Sequence, residues 1–213
     1  MGTCMSSSRG LGGGGGGGAG AAATRDLVSE REGFQREVDE VLGVSRAVAD
    51  MYGNDAVINQ FQVATMKGSE KNSVIGYYDG GNNIAINENY FNSSKLNDAY
   101  DQCVKSGFHP SRGNKTGLEA VTAHEYGHAL TAYAAKKMGA GSLVAAAAKI
   151  VKESKGAAGH KNVYDLASKI SGYAKHSYAE TIAEAFSDVF CNGSKAKKES
   201  RAVVDTMNKY IKT

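Results

Sequence analysis

The sequence is missing the marks of several protein classes. It has no C-x-x-C pair, and its three cysteines, Cys4, Cys103 and Cys191, are far apart and odd in number. That excludes a disulfide framework and a cysteine zinc knuckle, and leaves thiols in a reducing compartment as the expectation. Cys103 lies in Tyr100-Asp101-Gln102-Cys103-Val104, without the neighbouring groups that activate a nucleophile. No stretch approaches the roughly 18 apolar residues of a membrane span. Residues 1–20 have no leucine- or valine-rich core of a secretory signal. The expected location is therefore cytoplasmic, with no membrane span. Charge of one sign is lacking too. The formal net charge is +3 over 213 residues and the lysines are scattered, so nucleic acid is not an expected partner.

What is present falls into two parts. Residues 1–24 hold seven consecutive glycines, at 12–18, and then an alanine-rich run. Such a segment has much conformational entropy to lose and few side chains to bury, so a disordered tail is expected. It is not a phosphate-binding loop, because no lysine-serine or lysine-threonine pair follows. Met1-Gly2-Thr3-Cys4-Met5-Ser6 fits the N-myristoylation pattern, with Cys4 as a palmitoylation candidate, a short motif that matters only beside a eukaryotic transferase. Residues 25–213 are long enough for one buried core. With 41% hydrophobic and 22% charged residues the chain has the balance of a globular protein.

Periodicity gives the elements. Phe34, Val38, Val41, Leu42, Val48 and Tyr52 recur at helical intervals, predicting a helix over 26–52 that Gly53-Asn54-Asp55 ends. Short strands are expected at Phe61-Gln62-Val63-Ala64, Val74-Ile75-Gly76-Tyr77-Tyr78 and Asn83-Ile84-Ala85-Ile86-Asn87. Asp79-Gly80-Gly81-Asn82 suits a hairpin turn between the last two. Helices are then expected over 95–105, 118–137, 143–153, 163–170, 179–191 and 195–211. A loop through His109-Pro110-Ser111-Arg112-Gly113 separates the first two of these, and Val203, Met207, Tyr210 and Ile211 dock the last. Strands early and helices late predict an α+β fold, with a small N-terminal antiparallel sheet and a mostly helical C-terminal half.

The chemistry concentrates in His124-Glu125-Tyr126-Gly127-His128. Histidines four residues apart project from one helix face with Cβ atoms about 6 Å apart, a spacing that suits two ligands of a tetrahedral zinc ion. Glu125, about 100° round the helix, is badly placed as a third ligand but well placed to take a proton from a metal-bound water. Ala120, Val121, Ala123, Ala129, Leu130, Ala132 and Ala134 make this helix apolar nearly all round. Histidines and a carboxylate buried there need partners, since an unpaired one costs several kcal/mol. A pair of ordinary core histidines beside a capped glutamate is the competing reading, and the motif's context weighs against it.

The third ligand must come from elsewhere. Position 134 is Ala, so the extended H-E-x-x-H-x-x-G-x-x-H pattern fails. Glu180, Glu184 and Asp188 stand at steps of four on a later helix, within about 80° of one face. One can bind zinc, and its neighbour can accept a hydrogen bond from the outer nitrogen of a ligating histidine. With Ile182, Phe186, Val189 and Phe190 opposite, the same acids also fit the wet face of an amphipathic helix.

In these motifs the chain resembles the gluzincin metallopeptidases, whose zinc is held by two histidines and a glutamate. Glu184-Ala185-Phe186-Ser187-Asp188 is similar to the thermolysin-like Glu-x-x-x-Asp. Tyr173, Glu180, Ala183, Glu184, Ala185 and Phe186 match every position of the anthrax lethal factor-like pattern, and His124-Glu125-Tyr126-Gly127-His128-Ala129 is similar to that family's His-Glu-Phe-Gly-His-Ala. The second resemblance, over about residues 115–191, implies a zincin-like domain and Zn2+ on His124, His128 and Glu180. It further implies Glu184 as acceptor behind a ligand histidine, Glu125 as general base and Tyr173 as oxyanion donor. Its substrate would be a protein or peptide, added as a strand at an edge formed by Ile84-Ala85-Ile86. A glycine-rich start before such a domain also resembles proteins of bacteriophages, which implies a virion-associated location as an alternative to the cytoplasm. The competing function is a non-enzymatic, phage head-associated or interaction protein with an idle metal site.

Overall fold

A computed structural model describes residues 25–58 and 60–212. The glycine-rich tail expected over 1–24, and with it the lipidation motif, lies outside the described residues.

Four strands, β1 (Arg25–Leu27), β2 (Gln60–Ala64), β3 (Gly76–Tyr78) and β4 (Asn83–Asn87), form one sheet in the order β1-β2-β4-β3. The expected hairpin is there: β3 runs antiparallel to β4 with Tyr77 opposite Ala85. Gly80 takes a positive φ of 84° in its turn, and Asp79 Oδ1 accepts from the Gly81 amide at 2.8 Å. The sheet is not wholly antiparallel, however. β1 is antiparallel to β2, but β2 and β4 are parallel, with Phe61 opposite Ile84. β4 is buried along its whole length, and a strand that apolar gains most from neighbours on both sides. It therefore occupies the interior of the sheet, and β3 forms one edge, with β1 at the other. The strand expected to offer an edge at Ile84-Ala85-Ile86 is thus already paired on both sides.

The first helix is also shorter than its periodicity suggested. α1 spans Gln35–Tyr52, because residues 25–27 are drawn into the sheet and Gly33 turns the chain at φ 78°. Val38, Val41, Val44 and Val48 form its buried face. The remaining helices fall close to expectation: α2 (Ser93–Lys105), α3 (Gly117–Lys137), α4 (Leu143–Ala157), α5 (Val163–Ile170), α6 (Tyr178–Asn192) and α7 (Lys198–Ile211). Asn92, Thr116, Ser142, Asn162 and Ser177 each cap a helix by accepting from the amide three residues on. Thr116 and Glu119 complete a reciprocal capping box at the start of α3.

The inner face of the sheet, Phe61, Val63, Ile84 and Ile86, packs into the core that α1 and α3 share. The rings of Phe61 and Tyr126 lie 6.0 Å apart, and the Tyr126 hydroxyl donates to Ser45 Oγ on α1 at 2.9 Å. On the helical side α6 packs against α3, α4 and α7. Val203, Met207 and Ile211 seat α7 on that core, each burial contributing about 1.5–3 kcal/mol. Among the described residues no helix is long and apolar enough to cross a membrane.

Candidate metal centre

α3 is the innermost helix, so the polar side chains it carries are inside the protein. His124 is 3% exposed, His128 2% and Glu125 not at all. The two imidazoles stand edge to face, with centroids 5.0 Å apart.

α6 supplies the carboxylates. Its Ser177 cap accepts from the Glu180 amide, which fixes Glu180 in the first turn, where the helix dipole favours an anion. Glu180 Oε2 lies 3.1 Å from His124 Nε2 and 3.5 Å from His128 Nε2. Despite these distances, His124 Nε2 and both ring nitrogens of His128 make no hydrogen bond. The two Nε2 atoms, close to the Glu180 carboxylate yet not aligned with it, share a space with it. Ligand atoms of His124, His128 and Glu180 lie within 4.8 Å of one another. Bonds of about 2.1 Å at tetrahedral angles separate zinc ligands by roughly 3.4 Å, so this donor set fits a metal ion of that kind. The group can hold a metal.

Glu184, one turn further along α6, lies on the opposite side of the His124 ring. Its Oε1 accepts from His124 Nδ1 at 2.8 Å, which leaves Nε2 as the nitrogen available to a metal. It also accepts from His109 Nδ1 at 3.0 and 3.2 Å and from Ser171 Oγ at 2.7 Å. Asp188 stays apart from this cluster. Its carboxylate accepts from the Lys197 amide and Asn192 Nδ2, joining the end of α6 to the start of α7. With Glu180, Glu184 and Asp188 all 5% exposed or less, the acids of α6 are not a wet face.

Tyr173 sits in a single 3-10 turn after α5, its amide donating to Phe108 O at 3.0 Å. Its buried ring is stacked on His124, with centroids 5.9 Å apart and planes at 28°.

The electrostatics follow from burial and proximity. Burial disfavours an imidazolium at His124, but Glu180 and Glu184 together outweigh it and push the pKa up to about 10. Glu180 and Glu184 move the other way against the same penalty. The close, polar rings of His124 and His128 hold Glu180 well below the usual carboxylate range, and His109 and His124 bring Glu184 to about 2. Glu125 behaves differently. Burial pushes it up to about 8, opposed by His124 and the Tyr78 backbone and reinforced by Glu180 and Glu184. Neither of its oxygens has a well-formed hydrogen bond among the described residues.

A cavity of about 520 Å³ opens beside His128 and Glu180, with Tyr78, Ala147, Tyr164 and Ala167 among its mainly apolar walls. Of the residues singled out in the sequence, the fold brings His124, His128, Glu180 and Glu184 together, with Glu125 beside them on α3 and the Tyr173 ring stacked on His124. Sequence analysis did not single out every residue of this cluster. It missed His109 and Ser171, which lie in irregular segments without periodicity. The one available signal was that a buried Glu184 requires several donors.

Comparison with protein families, with characterised proteins and with solved structures finds no match to this chain.

Proposed function

We propose that the chain is a zinc-dependent endopeptidase of gluzincin type with a zincin-like domain, its metal held by His124, His128 and Glu180. The observation that carries this reading is the shared space faced by two unpaired histidine nitrogens and the Glu180 carboxylate, with Glu125 one residue along the same helix. Such a donor set is borderline in softness and three in number, which suits zinc and leaves a position for substrate. Zinc bound there supplies Lewis acidity toward the substrate carbonyl and toward water.

The chain's own residues do the rest. Glu125, next to His124 on α3, takes a proton from the water that attacks the peptide carbon and passes it to the departing amine nitrogen as the C–N bond breaks. Glu184 keeps the His124 ring oriented through Nδ1. The hydroxyl of Tyr173 donates to the oxyanion that develops on the carbonyl oxygen.

Substrate backbone aligns along β3. Ile75 and Asp79 pair with Asn87 and Asn83 through their backbones, so strand alternation turns the amides and carbonyls of Gly76 and Tyr78 away from β4. A peptide added there passes the cavity beside His128, whose walls favour an apolar side chain.

The test is cleavage of a peptide library by zinc-loaded protein and by Glu125→Gln. Loss of turnover with zinc retained supports the mechanism. Equal cleavage by both overturns it, and no cleavage by either favours the non-enzymatic reading.

A further inference from the structure

We infer that His109 is a positioning residue for the metal centre, holding Glu184 so that Glu184 can fix the ring of His124. The inference rests on the proposed metal site.

His109 lies in the loop between α2 and α3 yet is only 5% exposed. Three aromatic rings set its plane. Tyr100 is stacked on it at 5.2 Å and 8°, while Phe108 and Tyr173 meet it edge-on at 5.0 and 5.6 Å. Held in this way, Nδ1 faces both oxygens of Glu184, at 3.0 and 3.2 Å. The same loop is bound to the Tyr173 turn by two backbone bonds, Gly172 N–H to Gly107 O at 2.8 Å and Tyr173 N–H to Phe108 O at 3.0 Å. One loop therefore braces both the carboxylate behind His124 and the ring stacked on its face.

The physical need is specific. Glu184 is 1% exposed, and its orientation depends on the donors around it, His109, His124 and Ser171. Removing the His109 donor lets the carboxylate turn toward whichever donors remain, and His124 Nδ1 loses its fixed acceptor. An outer partner of a ligating histidine typically governs metal affinity by about 10–100-fold.

The test compares His109→Asn, His109→Leu and His109→Phe in the full chain. Asn places an amide N–H near the position of the imidazole Nδ1–H, Leu has nearly the shape of Asn without the donor, and Phe keeps the aromatic stack without it. Zinc affinity by chelator competition should fall about tenfold or more in the Leu and Phe variants and return to within a few-fold of wild type in the Asn variant. If His109 serves packing alone, Phe retains the affinity and Asn loses it, and that order overturns the inference. A second readout needs no metal: the downfield Nδ1–H proton of His124 in NMR spectra of the metal-free protein. It should persist in wild type and the Asn variant and be lost to exchange with Leu or Phe. Persistence in all four proteins overturns the inference, whereas a wild-type protein that binds no zinc but shows the expected NMR pattern overturns the metal site alone.

Discussion

α3 and α6 meet backbone to backbone at Gly127 and Ala183: a methyl group built on Gly127 would stand 2.5 Å from the Ala183 Cα. No side-chain rotation relieves such a contact. The close approach is what lets carboxylates from the first two turns of α6 reach imidazoles one turn apart on α3.

Gly127→Ala should therefore separate the helices. Overpacking against backbone costs about 1–3 kcal/mol, more than the helix propensity that alanine returns. Chemical denaturation should show that loss together with weaker zinc binding. A variant of unchanged stability and affinity would show that the helices have slack at this point.

The two glutamates of α6 should separate by function. Glu180→Ala removes the proposed ligand, and zinc affinity should fall well beyond the 10–100-fold expected for Glu184→Ala, which only releases His124. Competition titrations with a chelator measure both. The opposite order would support the thermolysin-like register, with Glu184 on the metal.

Tyr173→Phe keeps the ring stacked on His124 and removes one hydroxyl. Zinc affinity should hold while turnover drops about 10²–10³-fold, the usual consequence of losing an oxyanion donor. Unchanged turnover would reduce Tyr173 to a packing role.

Acidity should govern the metal-free protein in a definite direction. The folded pKa of His124, about 10, lies above its ordinary 6.5, so its contribution to stability is complete below pH 6.5 and is lost as pH rises toward 10. Glu125, raised from 4.5 to about 8, takes up a proton on folding between those values, so stability falls as pH climbs through that range. The melting temperature of metal-free protein should fall from pH 6.5 to pH 9. Because bound zinc takes the place of the His124 proton, the stabilisation by added zinc should grow over the same interval. A melting temperature that rises with pH would contradict these shifts.

Much of the site is readable in the sequence because it rests on local rules. Helical spacing alone puts His124 and His128 on one face, and the step of four from Glu180 to Glu184 places two acids one turn apart. Burial of α6 was harder to read, since its acids suit solvent as well as a metal, and only α3 packed against them decides. The long-range pairings were not legible. That Arg25–Leu27 joins β2, that β2 and β4 run parallel, and that β3 forms the edge all depend on contacts between distant segments. His109 escaped for a related reason, being a loop residue defined by Tyr100, Tyr173 and Glu184, which approach it from three other elements.

The most direct measurement is X-ray absorption at the zinc edge of the loaded, full-length chain. The proposed site requires a shell of nitrogen and oxygen at about 2.0–2.2 Å that includes two imidazoles, with no sulfur near 2.3 Å, and loss of that shell in Glu180→Ala. A shell containing sulfur, one without both imidazoles, or one unchanged by Glu180→Ala would contradict it.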